Sequence, residues 1–280
     1  MPVELEANPV SSGVDIRLAR LFDGGSNAII AAIDHGLYNG PRPGFEDLST
    51  VVDRLTGADA ILLAPGQARH LAGAFSRRGA PAMIVRLNWG TQYATQWGYR
   101  ESRSIPMISA ADAIALGADI VLVGMSIKTG SEAVDAENME MVARCVAEAR
   151  HAGVPIVGEV YPAGHEEISP EERQEVISIG CRMVAEVGVD LVKTFHTGDG
   201  FAQVCASTPV PVLGLGAKKL PHEIDALELA EHIIRTGARG VVFGRNLVGA
   251  KDPVTFMAAL REVVKDGSTA AAAAAKHGLA

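Results

Sequence analysis

Gly188-Val-Asp-Leu-Val-Lys-Thr-Phe195 is a helix stop followed by a strand. A 3.6-residue apolar period running from Pro170 to Glu186 ends at Gly188, the residue type that accepts the left-handed backbone of a helix C-cap. Leu191-Val-Lys-Thr-Phe195 is then apolar at consecutive rather than alternate positions, as expected of a parallel strand covered on both faces. Ahead of the helix, Ser169-Pro-Glu-Glu172 supplies an N-cap, a proline for the first helical position and two carboxylates for the positive end of the helix dipole. Together they make one α-β step.

The same step recurs in both directions. Strand-like runs lie at Asn27–His35, Ala58–Ala64, Pro81–Trp89, Asp119–Ser126, Pro155–Tyr161, Asp190–Phe195, Pro211–Gly216 and Gly240–Gly244. Helical periods cover Ala136–His151 and Glu223–Thr236 as well. Gly57-Ala58, Gly117-Ala118, Gly153-Val154 and Gly237-Ala238 repeat the device of Gly188-Val189. Eight units predict a single-domain (β/α)8 barrel, whose usual length is about 250 residues. A doubly wound open sheet is the competitor, but no linker or change of composition divides the units. The expected organisation is a lead-in over 1–26, the barrel over 27–265, and an alanine-rich tail over 266–280 that forms a marginal helix or a frayed end.

Composition narrows the function. Of the 280 residues, 48% are hydrophobic and 21% charged, enough to bury a large core. No apolar run approaches the roughly 20 residues of a membrane span. Met1-Pro-Val-Glu-Leu-Glu6 has neither the basic nor the apolar region of an export signal, which points to the cytoplasm. The net charge of −8 argues against nucleic acid as a partner, while a locally positive pocket for a small anion stays compatible with it. Cys145, Cys181 and Cys205 show no CxxC pairing, and the first two fall at apolar helix positions that predict packing.

In such a barrel the chemistry sits at the C-terminal strand ends. The polar residues there are Asp34 and His35 on the first run; Arg86, Asn88 and Trp89 on the third; Ser126 and Lys128 on the fourth; Glu159 and Tyr161 on the fifth; and Lys193, Thr194 and His196 on the sixth. Gly216-Ala-Lys-Lys219 and Gly244-Arg-Asn246 end the last two. Lys193 is the most informative, because a lysine in an apolar run is costly to bury while charged. As a nucleophile it needs its ordinary pKa of about 10.4 depressed by burial or a nearby cation such as Lys218, Lys219 or Arg245. The alternative is a lysine that reaches out to pair with Asp34 or Glu159. The glycine turns at Gly214-Leu-Gly216 and Gly244-Arg245 predict a phosphate site with backbone N–H donors, to which Arg245 adds a bidentate contact. Asp34 and Tyr161 suit proton transfer. His35, His70 and His196 lack the spacing of metal ligands, so no catalytic metal is expected.

Ala32-Ile-Asp-His-Gly36, Val192-Lys-Thr194, Thr197-Gly-Asp199, Lys218-Lys-Leu-Pro221 and Gly240-Val-Val-Phe-Gly-Arg-Asn246 resemble the archaeal-type class I fructose-bisphosphate aldolase family. That family also holds heptulosonate synthases and an autoinducer phosphate thiolase. The resemblance spans about residues 26 to 265. It implies a Schiff-base lysine at Lys193, a carboxylate at Asp34, a proton-transferring tyrosine at Tyr161 and phosphate contacts at Gly216, Gly244 and Arg245. Ala217, Lys218, Glu159, His35 and His196 complete the expected substrate-binding set. It implies no cofactor, and a homo-oligomer, pentameric or decameric.

The chain departs from the family where the fructose-bisphosphate aldolases resemble Trp-Ser-Tyr-Pro-Arg-Gly: here the string is Glu159-Val-Tyr-Pro-Ala-Gly164. A glycine pair becomes Gly216-Ala217, and a glutamine becomes Gly249. Glu159 is expected to repel a second phosphate and to accept hydroxyl or amine donors. Gly90-Thr-Gln-Tyr-Ala-Thr-Gln-Trp97 is expected to cap the pocket. The resulting expectation is a metal-independent carbon–carbon lyase on a phosphorylated ketose-like compound. A coenzyme A-dependent thiolase, a transaldolase or aldol synthase, and a phosphosugar-binding barrel without catalysis are the rivals.

Overall fold

The computed structural model describes residues 12–279. The first eleven residues of the lead-in, with the absent export signal read from them, lie outside the described residues. Eight strands close a parallel barrel in the order β1-β10-β9-β8-β7-β6-β3-β2. These are β1 (Ala28–Ala32), β2 (Ala60–Leu63), β3 (Ala82–Arg86), β6 (Ile120–Ile127), β7 (Ile156–Pro162), β8 (Leu191–Phe195), β9 (Val212–Leu215) and β10 (Gly240–Phe243). Six fall inside the apolar runs and β6 and β7 extend one residue past theirs, to Ile127 and Pro162; pairing of β1 with both β2 and β10 excludes the open sheet. Sequence reading misses a small antiparallel hairpin, β4 (Asn88–Gly90) with β5 (Ser104–Pro106), inserted after β3. Its strands are only three residues long and carry no run of their own.

The helix signals act as read. Ser169 Oγ accepts from Glu172 N at 3.1 Å at the start of the helix Pro170–Val187. Gly117, Gly153, Gly188 and Gly237 all take positive φ. Gly57 does not; it is glycine because a Cβ there would stand 2.5 Å from Met257 Cγ.

Alternation along the strands sorts side chains into two layers of core. Ile29, Val85, Val121 and Val192 face the helices. Ala28, Ile30, Ala32, Leu62, Ile84, Leu122, Val157, Leu191, Leu213 and Val242 fill the barrel. Leu21, fully buried on the helix Ser12–Phe22, joins the inner set and plugs the N-terminal end. The tail is not frayed: Ala270–His277 is a helix capped by Thr269, with Ala270, Ala273 and Ala274 buried. Cys145 and Cys181 are buried as expected. No helix among the described residues is long and apolar enough to cross a membrane.

Candidate active site

Side chains in a strand alternate between faces, so the residue two places past an inward apolar residue also points inward, one layer higher. Above Ile84 stands Arg86; above Leu122, Gly124; above Val157, Glu159; above Leu191, Lys193. Asp34 stands two past Ala32 at the end of β1. The layer above the apolar plug is therefore ionic. Asp34, Arg86, Glu159 and Lys193 are all between 2% and 6% exposed, so their charges have little bulk water to share.

They satisfy one another instead. Lys193 Nζ donates to Glu159 Oε1 at 2.5 Å, across the β7/β8 register in which the two residues are direct partners. Arg86 Nη2 donates to Glu159 Oε2 at 2.6 Å, and Arg86 Nε to Asp34 Oδ2 at 2.6 Å. Two cations and two carboxylates sum to zero. Tyr93, from the segment between β4 and β5, donates its hydroxyl to Glu159 Oε2 at 2.9 Å. Burial alone would raise the Glu159 carboxyl, but Arg86 and Lys193 overcome it and hold the pKa at about 2. Arg86 also lies over the rings of Tyr38 and Tyr93, 5.4 and 5.1 Å from their centroids. Gly124 makes room for this cluster, because a Cβ there would run into Tyr93 Oη and stand 3.0 Å from Arg86 Nη1.

These groups form the floor of a cavity of about 640 Å³ at the C-terminal mouth of the barrel. Of the sequence-predicted set, Asp34, His35, Glu159, Tyr161, Lys193, Gly216, Ala217, Lys218, Gly244 and Arg245 line it. His196 does not: its ring packs against Phe201 and His232 outside the cavity, because it lies past the end of β8. Glu159 also differs from expectation. Both its oxygens take protein donors and its charge is paired with Arg86 and Lys193, so it is not the unpaired anion that its place at a strand end suggests. Lys193 does pair with a carboxylate, as the alternative reading has it, while still facing the cavity.

Tyr161 is half-buried, its ring edge-on to Tyr93, His165 and Phe195 at 4.8, 4.7 and 5.1 Å. Burial and then Glu159 push its hydroxyl well above the ordinary tyrosine range, so it carries its proton at neutral pH. Burial lowers His35 to about 4, which leaves it neutral there.

At the β9 and β10 ends, Gly216 N already donates to Val242 O at 3.1 Å and is not a free donor. Asn246 Nδ2 clamps the turn by donating to Gly216 O at 2.8 Å and Lys218 O at 3.1 Å. Ala217 sits at φ 48°, the left-handed region, where the resembling family carries glycine. Gly244 is required by close approach, since a Cβ would come within 2.5 Å of Ala32 O and of His35 Cε1. Lys218 is paired with Glu166 at 2.7 Å. Arg245 Nε is buried without a hydrogen-bond partner; burial and then neighbouring Arg42 lower its pKa. Arg42 and Arg173 line the cavity too, and Arg173 Nε is buried without a hydrogen-bond partner. Sequence reading places Arg86 among the strand-end polar residues and Tyr93 in the segment expected to cap the pocket, but pairs neither with Glu159; Tyr38, Arg42 and Arg173 it leaves out, and no comparable signal marks them.

Residues 28–249 match the model of the DeoC/LacD family of aldolases. An aldolase of Saccharolobus solfataricus is 30% identical over 266 residues, 91% of this chain and 96% of that protein. A 3-hydroxy-5-phosphonooxypentane-2,4-dione thiolase of Yersinia pestis is 29% identical over 263 residues, 93% of this chain and 85% of the thiolase. An archaeal fructose-1,6-bisphosphate aldolase superposes with a TM-score of 0.77 at 28% identity, covering 89% of this chain and 98% of its own. A further structure of an archaeal aldolase, equally similar, holds its catalytic lysine covalently bound to the carbinolamine intermediate of the substrate. With a closed eight-stranded barrel, a buried lysine at the mouth and a family match over most of its length, this chain belongs to the DeoC/LacD family of aldolases.

Proposed function

We propose that the chain is a class I aldolase that forms a Schiff base through Lys193 with the carbonyl of a phosphorylated ketose-like substrate. One observation carries this reading: Lys193 is a buried lysine whose side chain opens onto a cavity of about 640 Å³, with Arg245, whose Nε lacks a hydrogen-bond partner, at the same mouth. The amine attacks the carbonyl carbon, the carbonyl oxygen departs as water, and the protonated imine becomes the electron sink. The carbon–carbon bond beyond the adjacent carbon then breaks, and its electron pair enters an enamine. Asp34 takes the proton of the hydroxyl that becomes an aldehyde. Tyr161, protonated at neutral pH, returns a proton to the enamine carbon, and water releases the product from Lys193. The reverse sequence joins two fragments.

The second reading, acyl transfer to coenzyme A from a phosphorylated dione, is supported by the likeness to the Yersinia thiolase. Dependence of product formation on coenzyme A separates the two.

Borohydride reduction in the presence of a panel of phosphorylated ketoses, followed by intact mass, tests the covalent step. An adduct is expected in the wild type and absent in Lys193→Arg. No adduct, or one that survives the substitution, would sink the Schiff base and favour a barrel that only binds its phosphosugar.

A further inference from the structure

We propose that Glu159 is the standing counter-ion of the Lys193 nitrogen throughout turnover, and that Arg86 and Tyr93 are positioning residues that hold it in that role. The inference rests on the Schiff-base reading above and assigns the ionic layer a part in it.

The geometry engages both oxygens of Glu159 with protein donors. One oxygen takes Lys193 Nζ at 2.5 Å, and the other takes Arg86 Nη2 at 2.6 Å and the Tyr93 hydroxyl at 2.9 Å. Both oxygens are engaged within the protein, which makes Glu159 a partner of Lys193 rather than the unpaired acceptor that its place at a strand end suggests. The groups around the pair come from every element that packs there. They are Asp34 and His35 from the end of β1, Tyr38 beyond it, Arg86 from β3, Tyr93 from the β4–β5 segment and Tyr161 from β7. Asp34 balances Arg86, so the charge on Glu159 is left to balance Lys193.

The charge balance of the reaction explains why a fixed carboxylate suits this lysine. An ammonium and a carbonyl condense to a protonated imine and water, R–NH3⁺ + O=C giving R–NH⁺=C + H2O. Atoms balance, and the nitrogen carries one positive charge at both ends. The proton that the ammonium gives up before attack is matched by the one that the carbinolamine hydroxyl gains as it leaves. A carboxylate held in a dry layer therefore has a cation opposite it before and after imine formation, and it stabilises the cationic imine that withdraws electrons from the breaking bond. Arg86 keeps that carboxylate ionised, and the Tyr93 hydroxyl fixes its second oxygen. Without Glu159 the layer would hold two cations, the imine nitrogen and Arg86, against the single carboxylate of Asp34.

Two measurements test this. Trace labelling with acetic anhydride from pH 6 to 11, read on the peptide that carries Lys193, reports the pH midpoint of its amine. In Glu159→Gln the midpoint is expected to fall by about one unit or more relative to wild type, since one unit is a tenfold change in the neutral fraction. Glu159→Asp, which keeps the buried charge and hence the fold, is expected to fall by less. The rate of borohydride-trapped adduct formation with saturating dihydroxyacetone phosphate is expected to drop about 100-fold in Glu159→Gln, with the half-saturating concentration changed less than about threefold. An unshifted midpoint in both variants overturns the counter-ion, as does a rise in half-saturation with the midpoint unmoved, the mark of a substrate contact. Absence of adduct in the wild type strikes the Schiff-base reading instead, and that outcome is distinct from an unshifted midpoint.

Discussion

Arg245 is the residue whose surroundings ask most plainly for a ligand. Its Nε is buried and unpartnered, and Arg42 beside it adds to the cost of that charge rather than relieving it. A phosphate would supply the missing acceptor in bidentate form. Charge-assisted bonds of this kind contribute about 1.5–3 kcal/mol, so Arg245→Ala is expected to raise KM for a phosphorylated substrate by about 10- to 100-fold. The unphosphorylated analogue should be affected less than about threefold, and equal effects on both would remove Arg245 from the phosphate site. Asp34, Arg86, Tyr161, Lys193 and Arg245 are all legible in the sequence, because each is a polar residue at the end of an apolar run. That Arg86 and Tyr93 bond Glu159 is not, since they meet it only once β3, β7 and the β4–β5 segment share one barrel mouth.

At the scale of elements, the β4–β5 hairpin is the piece that distinguishes the site, and β6 permits it. Tyr93 and Thr95 line the cavity, while Trp97 stays exposed outside it. The expected cap is therefore a single ring driven inward rather than an aromatic lid. That ring reaches Glu159 only because β6 has no side chain at Gly124. Gly124→Ala places a methyl against Tyr93 Oη and Arg86 Nη1, so it is expected to cost about 1–3 kcal/mol of stability and to lower activity at least about tenfold. Thermal melting and trapped-adduct rate measure both. Unchanged values would mean that the hairpin withdraws freely and that Tyr93 contributes nothing there. In the sequence this glycine is one more residue of the run Asp119–Ser126, because what it makes room for comes from elsewhere in the chain.

For the whole molecule, closure sets the one open end. Among the described residues the helix Ser12–Phe22 plugs the bottom with Leu21, and the ionic layer opens onto the cavity at the C-terminal mouth. The C-terminal helix completes the outer ring. Ala270, Ala273 and Ala274 are buried, Ala270 N donates to Glu231 Oε2 at 2.7 Å, and Lys276 pairs with Glu262 at 2.6 Å. Three buried methyl groups amount to about 2 kcal/mol, so removal of residues 268–280 is expected to lower Tm by about 4–8 °C. No residue of that helix lines the cavity, and the trapped-adduct rate is expected to stay at the wild-type value. A Tm that does not move would mean the helix is not docked in solution.

By itself the sequence determined the eight α-β steps, the closed parallel barrel they imply and the lysine that marks its chemistry. Periodicity, helix caps and apolar runs are local, and each is written within a dozen neighbouring residues. Only the tertiary structure decided which charges meet. Asp34, Arg86, Glu159 and Lys193 are separated by up to 73 residues between bonded partners, and they pair because barrel closure brings strand ends to one axis in one register. Pairing across that axis turns Glu159 from an apparent substrate contact into a partner of Lys193, and it leaves His196 outside.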